Sequence, residues 1–344
     1  MKAQQRSRLR QEILGIGDAV ERQLTLDDQP IRAAASALRE INPPYIATIA
    51  RGSSDHVATY LKYAFELAMG MPVATIGPSL ASIYGSKLHL AGSVCIAISQ
   101  SGQSGDILQL ARTASDSGAL LLAITNDPDS ELASLSDQVL ATNAGPERSV
   151  AATKTFVTAA LIGLRVLAHA NQDTDLINAT HSLPGRLEAA ARVDWPELLD
   201  VAALASSMIA LGRGLTFGIS NELALKLKEV CQLHAESYSA AEFLHGPVAI
   251  IEAGFPAIAL AIGDSSEDTV VEVADHLADL GANVFATSAK ARKAKTLPVI
   301  PTRHQMTDPL SQATTCYAVV ERIACHIGSD PDRPRHLNKV TLTR

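Results

Sequence analysis

Seven consecutive positions, Ser99 to Gly105 in the stretch AISQSGQSGDI, hold only serine, glutamine and glycine. The loop contains no lysine, arginine or aromatic residue, so neither a formal positive charge nor ring stacking is available inside it. It offers instead the hydroxyls of Ser99, Ser101 and Ser104, the Gln100 amide, and backbone that glycine lets approach a ligand closely. A helix beginning near Ser104 would aim its unpaired N–H groups and positive dipole end at the loop. Together these groups form a neutral anion cradle suited to a phosphate monoester. The same composition also fits a loop that only turns the chain and caps the next helix. Other phosphate-binding patterns are absent: there is no GxxxxGK[ST], and ARGSSD lacks the GxGxxG spacing.

Two further stretches supply donors of the same kind. Ser53 and Ser54 follow the apolar run ending at Arg51-Gly52, and SVAATK, Ser149 to Lys154, opens a helical pattern with more backbone N–H groups. Converging at one sheet edge, the three loops would outline a polyol phosphate. In NELALKLKEVCQLHAE, Glu222 and Lys226 stand i,i+4 in the favourable order, which a surface ion pair explains. His245 precedes Gly246-Pro247, and histidine titrates near neutrality. His234-Ala235-Glu236 reads HxE, but no PCxxC and no HExxH accompanies it, so neither a metal nor another cofactor is expected.

The elements that must position these residues repeat. Arg51-Gly52 recurs as Arg213-Gly214, 162 positions on, and the same offset brings SVCIAISQ onto FPAIALAI and ALLLAITN onto GANVFATS. Ala151-Ala152-Thr153, opening one helical pattern, falls on Ala313-Thr314-Thr315, read as opening another. Within each copy short apolar runs alternate with amphipathic stretches such as DILQLARTASDSG and TVVEVADHLADLG. That alternation predicts two tandem doubly wound α/β domains, each a parallel sheet with helices on both faces. Ligands of such sheets sit beyond the carboxyl ends of the strands, where Ser99 to Gly105 falls. The second copy has GDSSED at the corresponding place, with Asp264 opposite Gly102. A carboxylate there would repel phosphate, so one copy is read as binding and the other as scaffold.

Composition narrows the class. The 344 residues are 47% hydrophobic and 19% charged, as expected of a soluble globular chain with well-filled cores. A net charge of −7 and 4% aromatic content argue against nucleic acid. The longest apolar stretch, GPVAIIEAGFPAIALAIG, is interrupted by Glu252 and Pro256 and reads as two buried elements, not a membrane span. The N-terminal segment does not resemble a secretory signal. Cys95, Cys231, Cys316 and Cys325 lie unpaired in apolar patterns, which suits buried free thiols and a reducing cytoplasm.

SQSGQS, GPERSVAATKTF, NELALKLKEVCQLHAESYSAAEFLHGPVAII and the tail DRPRHLNKVTLTR resemble the isomerase portion of glucosamine-6-phosphate synthase and its relatives, proteins with two SIS (sugar isomerase) domains. RGSSDH, PSLASIYG and VAATK are similar to segments of the stand-alone SIS-type glucosamine-6-phosphate deaminases. The resemblance implies flavodoxin-like SIS domains. The polar segment holding Pro184, Gly185 and Pro196 reads as the join between them, and the first thirty residues as a helical arm. The expected division is an arm over 1–30, a first domain over 31–175, a linker over 176–199, a second domain over 200–330 and a tail over 331–344. The resemblance also implies a metal-independent conversion of glucosamine 6-phosphate to fructose 6-phosphate and ammonia. The chain opens Met1-Lys2-Ala3 without the synthase's glutamine-hydrolysing domain, which favours ammonia as product. Glu229 takes the family's proton-shuttling place and His245 that of the ring-opening histidine, contributed across subunits of a homodimer with shared active sites. Lys339 matches the tail lysine that can form an imine with the ketose. Ser53, Ser54, Ser99, Gln100, Ser101, Ser104, Val150, Ala152, Glu222 and Lys226 match substrate-binding positions. Two departures stand out: Ala152 replaces a hydroxyl residue, and Gln103 replaces a frequent acidic one.

Other readings stay open on these residues. An ammonia-using synthase running the same steps backward, a simple aldose-ketose isomerase, and a substrate of galacto configuration all fit. A non-catalytic SIS protein that senses sugar phosphates would keep the serine loop but could dispense with Glu229, His245 and Lys339.

Overall fold

The computed structural model describes residues 7–339. They form two compact units, one of residues 18–147 and 154–182, here the first unit, and the other of residues 7–17, 148–153 and 183–339, the second unit. Each carries one five-stranded sheet. In the first unit the strands are β1 Ile46–Ile49, β2 Val73–Thr75, β3 Val94–Ile98, β4 Leu120–Thr125 and β5 Gln138–Ala141, in the order β2-β1-β3-β4-β5. In the second they are β6 Ser207–Gly212, β7 His234–Ser239, β8 Pro256–Ala259, β9 Asn283–Ala286 and β10 Lys295–Thr296, in the order β10-β9-β8-β6-β7. Every ladder is parallel. Matching β1 to β6, β2 to β7 and so on shows one doubly wound topology used twice, with the strand-order reversal beside β1 and β6.

Both cores follow from the same short apolar strands. Ala47, Ile49, Cys95, Ala97, Leu121 and Ala123 pack on Ile107, Leu110, Ala111 and Ala114 of the helix Gly105–Asp116. Ile209, Leu211, Ala257, Ala259, Val284 and Ala286 pack on Val270, Val273, Ala274 and Leu277 of the helix Glu267–Asp279. These two helices begin 162 positions apart, as the repeat predicts. The last landmark fails. The helix containing Ala313 begins at Asp308, because Pro309 suits a first helical turn, so Ala313 to Thr315 lie inside it.

The expected arm and linker are helical and packed. The helix Arg8–Leu14 contacts the long helix Asp308–His326, whereas Gln29–Ile41 lies on Lys154–Ala170 in the first unit. Residues 176–199 take part in three helices, Thr174–His181, Leu183–Ala190 and Pro196–Leu204. Pro184 and Gly185, inside the expected linker, stand in the first turn of a helix, where proline forfeits no bond. Trp195 is fully buried and donates its indole N–H to the Pro298 carbonyl at 2.9 Å. Two smaller expectations are also revised. The Pro247–Ile250 half of the long apolar stretch is a 3₁₀ turn with Ile250 exposed, and only the half around β8 is buried. Burial pushes the Cys95, Cys231 and Cys316 thiols up to about 12, but Cys325 is exposed.

Candidate active site

The serine loop leaves the carboxyl end of β3 and is tied down on one side by β4 and the residues after it. Ser99 N–H donates to the Ile124 carbonyl at 3.1 Å, Asn126 N–H to that of Gln100 at 3.1 Å, and Leu132 N–H to that of Gly102 at 3.1 Å. Gly102 has φ +61°, and a Cβ there would lie 2.1 Å from Ser130 Oγ, so only glycine lets the loop press this close. Ser99 Oγ accepts from Gly102 N–H at 3.2 Å. Ser104 is extended ahead of the helix Gly105–Asp116, yet its side chain makes no capping hydrogen bond. A loop serving only as a cap would spend that hydroxyl on the helix.

Ser53 and Ser54 open the helix Ser53–Met69 directly after β1, the strand paired with β3, so both hydroxyl clusters follow the carboxyl ends of neighbouring strands of the first sheet. Just before them, Arg51 forms an ion pair with Asp106, a carboxylate buried in the first turn after the serine loop. The loop's own composition holds no cation, but the fold brings one beside it. Asp106 offsets its charge.

The second unit shows what a carboxylate does in the equivalent loop. Asp264 Oδ1 accepts from Ser266 N–H at 2.8 Å and from Ser266 Oγ at 2.7 Å. The donors that would face an anion are consumed internally.

The SVAATK segment differs from expectation. Residues 148–153 group with the second unit, and the helix starts only at Lys154. The backbone N–H groups of Arg148 and Ser149 donate to Glu12 Oε1, at 2.6 and 3.3 Å, so these two donors are already taken. Val150 and Ala152 lie half-buried in this irregular stretch. Lys154 Nζ donates to the Pro146 carbonyl at 2.7 Å.

In the second unit, the helix Phe217–Cys231 follows β6. Ile219, Leu223, Leu227 and Val230 recur at helical spacing and are buried, and Gln232 closes the helix in the left-handed conformation at φ 55°. Glu222, Lys226 and Glu229 fall at i, i+4 and i+7 and form a second row along it. The surface-pair reading of Glu222 and Lys226 is wrong: they are 1% and 2% exposed. Burial occurs because the helix Asp308–His326 packs across this face. Lys226 Nζ lies 2.6 Å from Glu229 Oε2 and 3.4 Å from Glu222 Oε1. Tyr317, on the covering helix, donates its hydroxyl to Glu222 Oε1 at 3.0 Å. Burial by itself pulls the Lys226 ammonium downward, but the two carboxylates outweigh it and hold its pKa above the usual lysine value. Glu229 keeps a side-chain exposure of 22%, the one member of the row that reaches solvent appreciably. Such a row can hold one carboxylate in a fixed orientation and present it for proton transfer.

His245 sits in an exposed turn after the short helix Ala240–Phe243. Buried Phe243, its ring centroid 5.3 Å from that of Tyr238, anchors the turn. Gly246 at φ +152° releases the chain into Pro247. Lys339 is half-buried at the end of the described residues; the tail beyond it, 340–344, lies outside them. His234 and Glu236, the HxE pair, face each other at 3.7 Å on edge strand β7, and among the described residues no three His, Cys, Asp or Glu side chains are grouped to hold a metal ion. Sequence reasoning missed Arg51 with Asp106, Glu12 and Tyr317, none of which belongs to a local pattern with its partner.

The sequence profile of the SIS domain matches residues 41–170 and 203–294. The isomerizing glutamine–fructose-6-phosphate aminotransferase of Pyrobaculum aerophilum is 33% identical over 327 residues, which cover 91% of this chain and 54% of that protein. That of Sulfurisphaera tokodaii is 33% identical over 306 residues, covering 87% and 50%. The chain thus spans about half the length of the curated relatives it matches. Among solved structures, a phosphosugar isomerase candidate from Silicibacter pomeroyi superposes with a TM-score of 0.92 at 49% identity, covering 95% of this chain and all of that one. The glucosamine-6-phosphate deaminase of Thermotoga maritima superposes at 0.73 with 19% identity, covering 92% and 99%, a likeness of fold alone. With the SIS profile matching more than half of its residues and the doubly wound unit present twice, this chain belongs to the SIS domain family.

Proposed function

We propose that this protein is a metal-independent phosphosugar isomerase that deaminates glucosamine 6-phosphate to fructose 6-phosphate and ammonia. The observation that carries the proposal is the buried Glu222–Lys226–Glu229 row, which fixes one accessible carboxylate against a lysine held charged. The isomerase names borne by the relatives and by the Silicibacter protein support the substrate class.

In the open-chain aldose, Glu229 removes the C2 proton as C1 oxygen gains one, giving an enolamine. Glu229 returns its proton to C1, leaving an imine at C2. Water adds there and ammonia departs, so the net reaction consumes one water and no redox partner. His245 shuttles the proton that opens the ring, a task suited to an imidazole, whose two ring nitrogens let it both accept and donate a proton. Its exposed turn supports a role across a homodimer interface. The hydroxyls and amide of Ser53, Ser54, Ser99, Gln100, Ser101 and Ser104 hold the phosphate and sugar, with Val150 and Ala152 as backbone contacts. Lys339 closes over the ketose or stabilises charge.

Purified protein incubated with glucosamine 6-phosphate in the presence of a chelator is expected to release ammonia and fructose 6-phosphate in equal amounts. Absence of ammonia at saturating substrate would sink the deaminase assignment, and interconversion of an aldose and a ketose phosphate without ammonia would identify a simple isomerase. The loops give a second expectation. Ser101→Ala and Ser104→Ala should each weaken fructose 6-phosphate binding by roughly 10- to 100-fold, the worth of a hydrogen bond to a charged group. Ser265→Ala and Ser266→Ala should leave it unchanged, because Ser266 is bonded to Asp264. Equal losses at both loops, measured by calorimetry, would contradict a single phosphate loop.

A further inference from the structure

The Lys226 ammonium is placed unevenly between its carboxylates, 2.6 Å from Glu229 and 3.4 Å from Glu222. Burial does not account for the bias, since Glu222 is the more deeply buried and gains more from a counter-charge. The difference lies in what else reaches Glu222. Tyr317, itself 2% exposed, donates its hydroxyl to the same Oε1 atom that faces Lys226. The hydroxyl hydrogen on that oxygen offsets part of its negative charge, so its attraction for the ammonium is weaker. Cys316, next to Tyr317 on the covering helix, also faces Glu222; burial first and Glu222 second push its thiol up to about 12, which keeps it neutral. On β7, also packed against the Phe217–Cys231 helix, Glu236 accepts from the Tyr238 hydroxyl and pairs with His234.

We propose that Tyr317 is a positioning residue: its hydroxyl partly satisfies Glu222 and so leaves Lys226 directed at Glu229. The Tyr317 ring belongs to a different helix from the three charged residues, so Asp308–His326 sets the orientation of a carboxylate it does not carry. The consequence for catalysis rests on the assignment of Glu229 as proton carrier; the consequence for geometry does not.

The test uses Tyr317→Phe, which keeps the buried ring and removes only the hydroxyl. In crystal structures of the parent and the variant, Lys226 Nζ is expected to move toward Glu222, closing the longer separation and opening the shorter. Unchanged separations overturn the proposal whatever the activity. In parallel, exchange of solvent deuterium into fructose 6-phosphate should fall about five-fold in kcat with KM unchanged, the equivalent of one hydrogen bond. In a Glu222→Gln background Tyr317→Phe should add nothing further, because the two residues act through one contact. An additive loss in the double variant counts against the proposal. If Lys226 moves as expected but the parent protein exchanges no deuterium, the functional reading fails and the positioning role stands.

Discussion

Glu229→Gln is expected to abolish incorporation of solvent deuterium into fructose 6-phosphate while leaving its binding intact. A positioned acid/base contributes about 10²- to 10⁴-fold, so the variant's exchange should fall by at least the lower figure. The substitution is close to isosteric, and the amide oxygen can still accept from Lys226 Nζ, which lies 2.6 Å from Glu229 Oε2. The charge change is also benign: two carboxylates and one ammonium become one of each, so the fold has no new unpaired ion. A loss of exchange with unchanged binding therefore reports the missing proton carrier and not a damaged site. Undiminished exchange would reassign the base. Mass spectrometry of the recovered sugar, with binding followed separately by calorimetry, reads both quantities.

Lys226→Met should produce the largest effect on stability. It leaves Glu222, 1% exposed, and Glu229 without their shared counter-charge, and removing one member of a buried ion pair typically costs about 3–5 kcal/mol. For a domain of this size that corresponds to a fall in Tm of about 10 °C. The deficit should shrink as pH falls, since protonated carboxylates need no partner. In the parent protein the sign runs the other way at high pH. Lys226 has a pKa raised above 10.5, so its stabilising contribution is fully present below 10.5 and is lost as pH rises through the folded-state value. Thermal melts of both proteins across the pH range check each arm. A variant melting within about 1 °C of the parent would show that the row does not tie the two helices together.

Much of this fold was legible from the chain. The strand-loop-helix passages at Val94 to Asp116 and at Pro256 to Asp279 repeat because each depends on neighbours in sequence: alternating elements, glycine at turns, apolar residues at helical spacing. Gly102 and Asp264 mark which copy of the loop carries a carboxylate, and there Asp264 takes both the N–H and the hydroxyl of Ser266. The boundaries were harder. Pro184 and Gly185 look like breakers in a linear reading, yet a first helical turn accommodates both. Backbone donors at Arg148 and Ser149 look available until Glu12, more than a hundred residues away, accepts them.

The sequence by itself determined the doubly wound α/β class, its duplication, the polar loop after β3 and the registered row of Glu222, Lys226 and Glu229 on one helix. These are all short-range patterns, readable from period and spacing. Only the tertiary structure decided whether that row faces water or protein. An i,i+4 pair is the same five letters of sequence in either case; what converts it from a weak surface contact into a buried ion pair is the helix Asp308–His326 laid over it, with Tyr317 reaching Glu222. The same holds for Arg51, which meets Asp106 because parallel neighbours β1 and β3 bring the two segments together. Charge acts through space, and distance along the chain does not measure it.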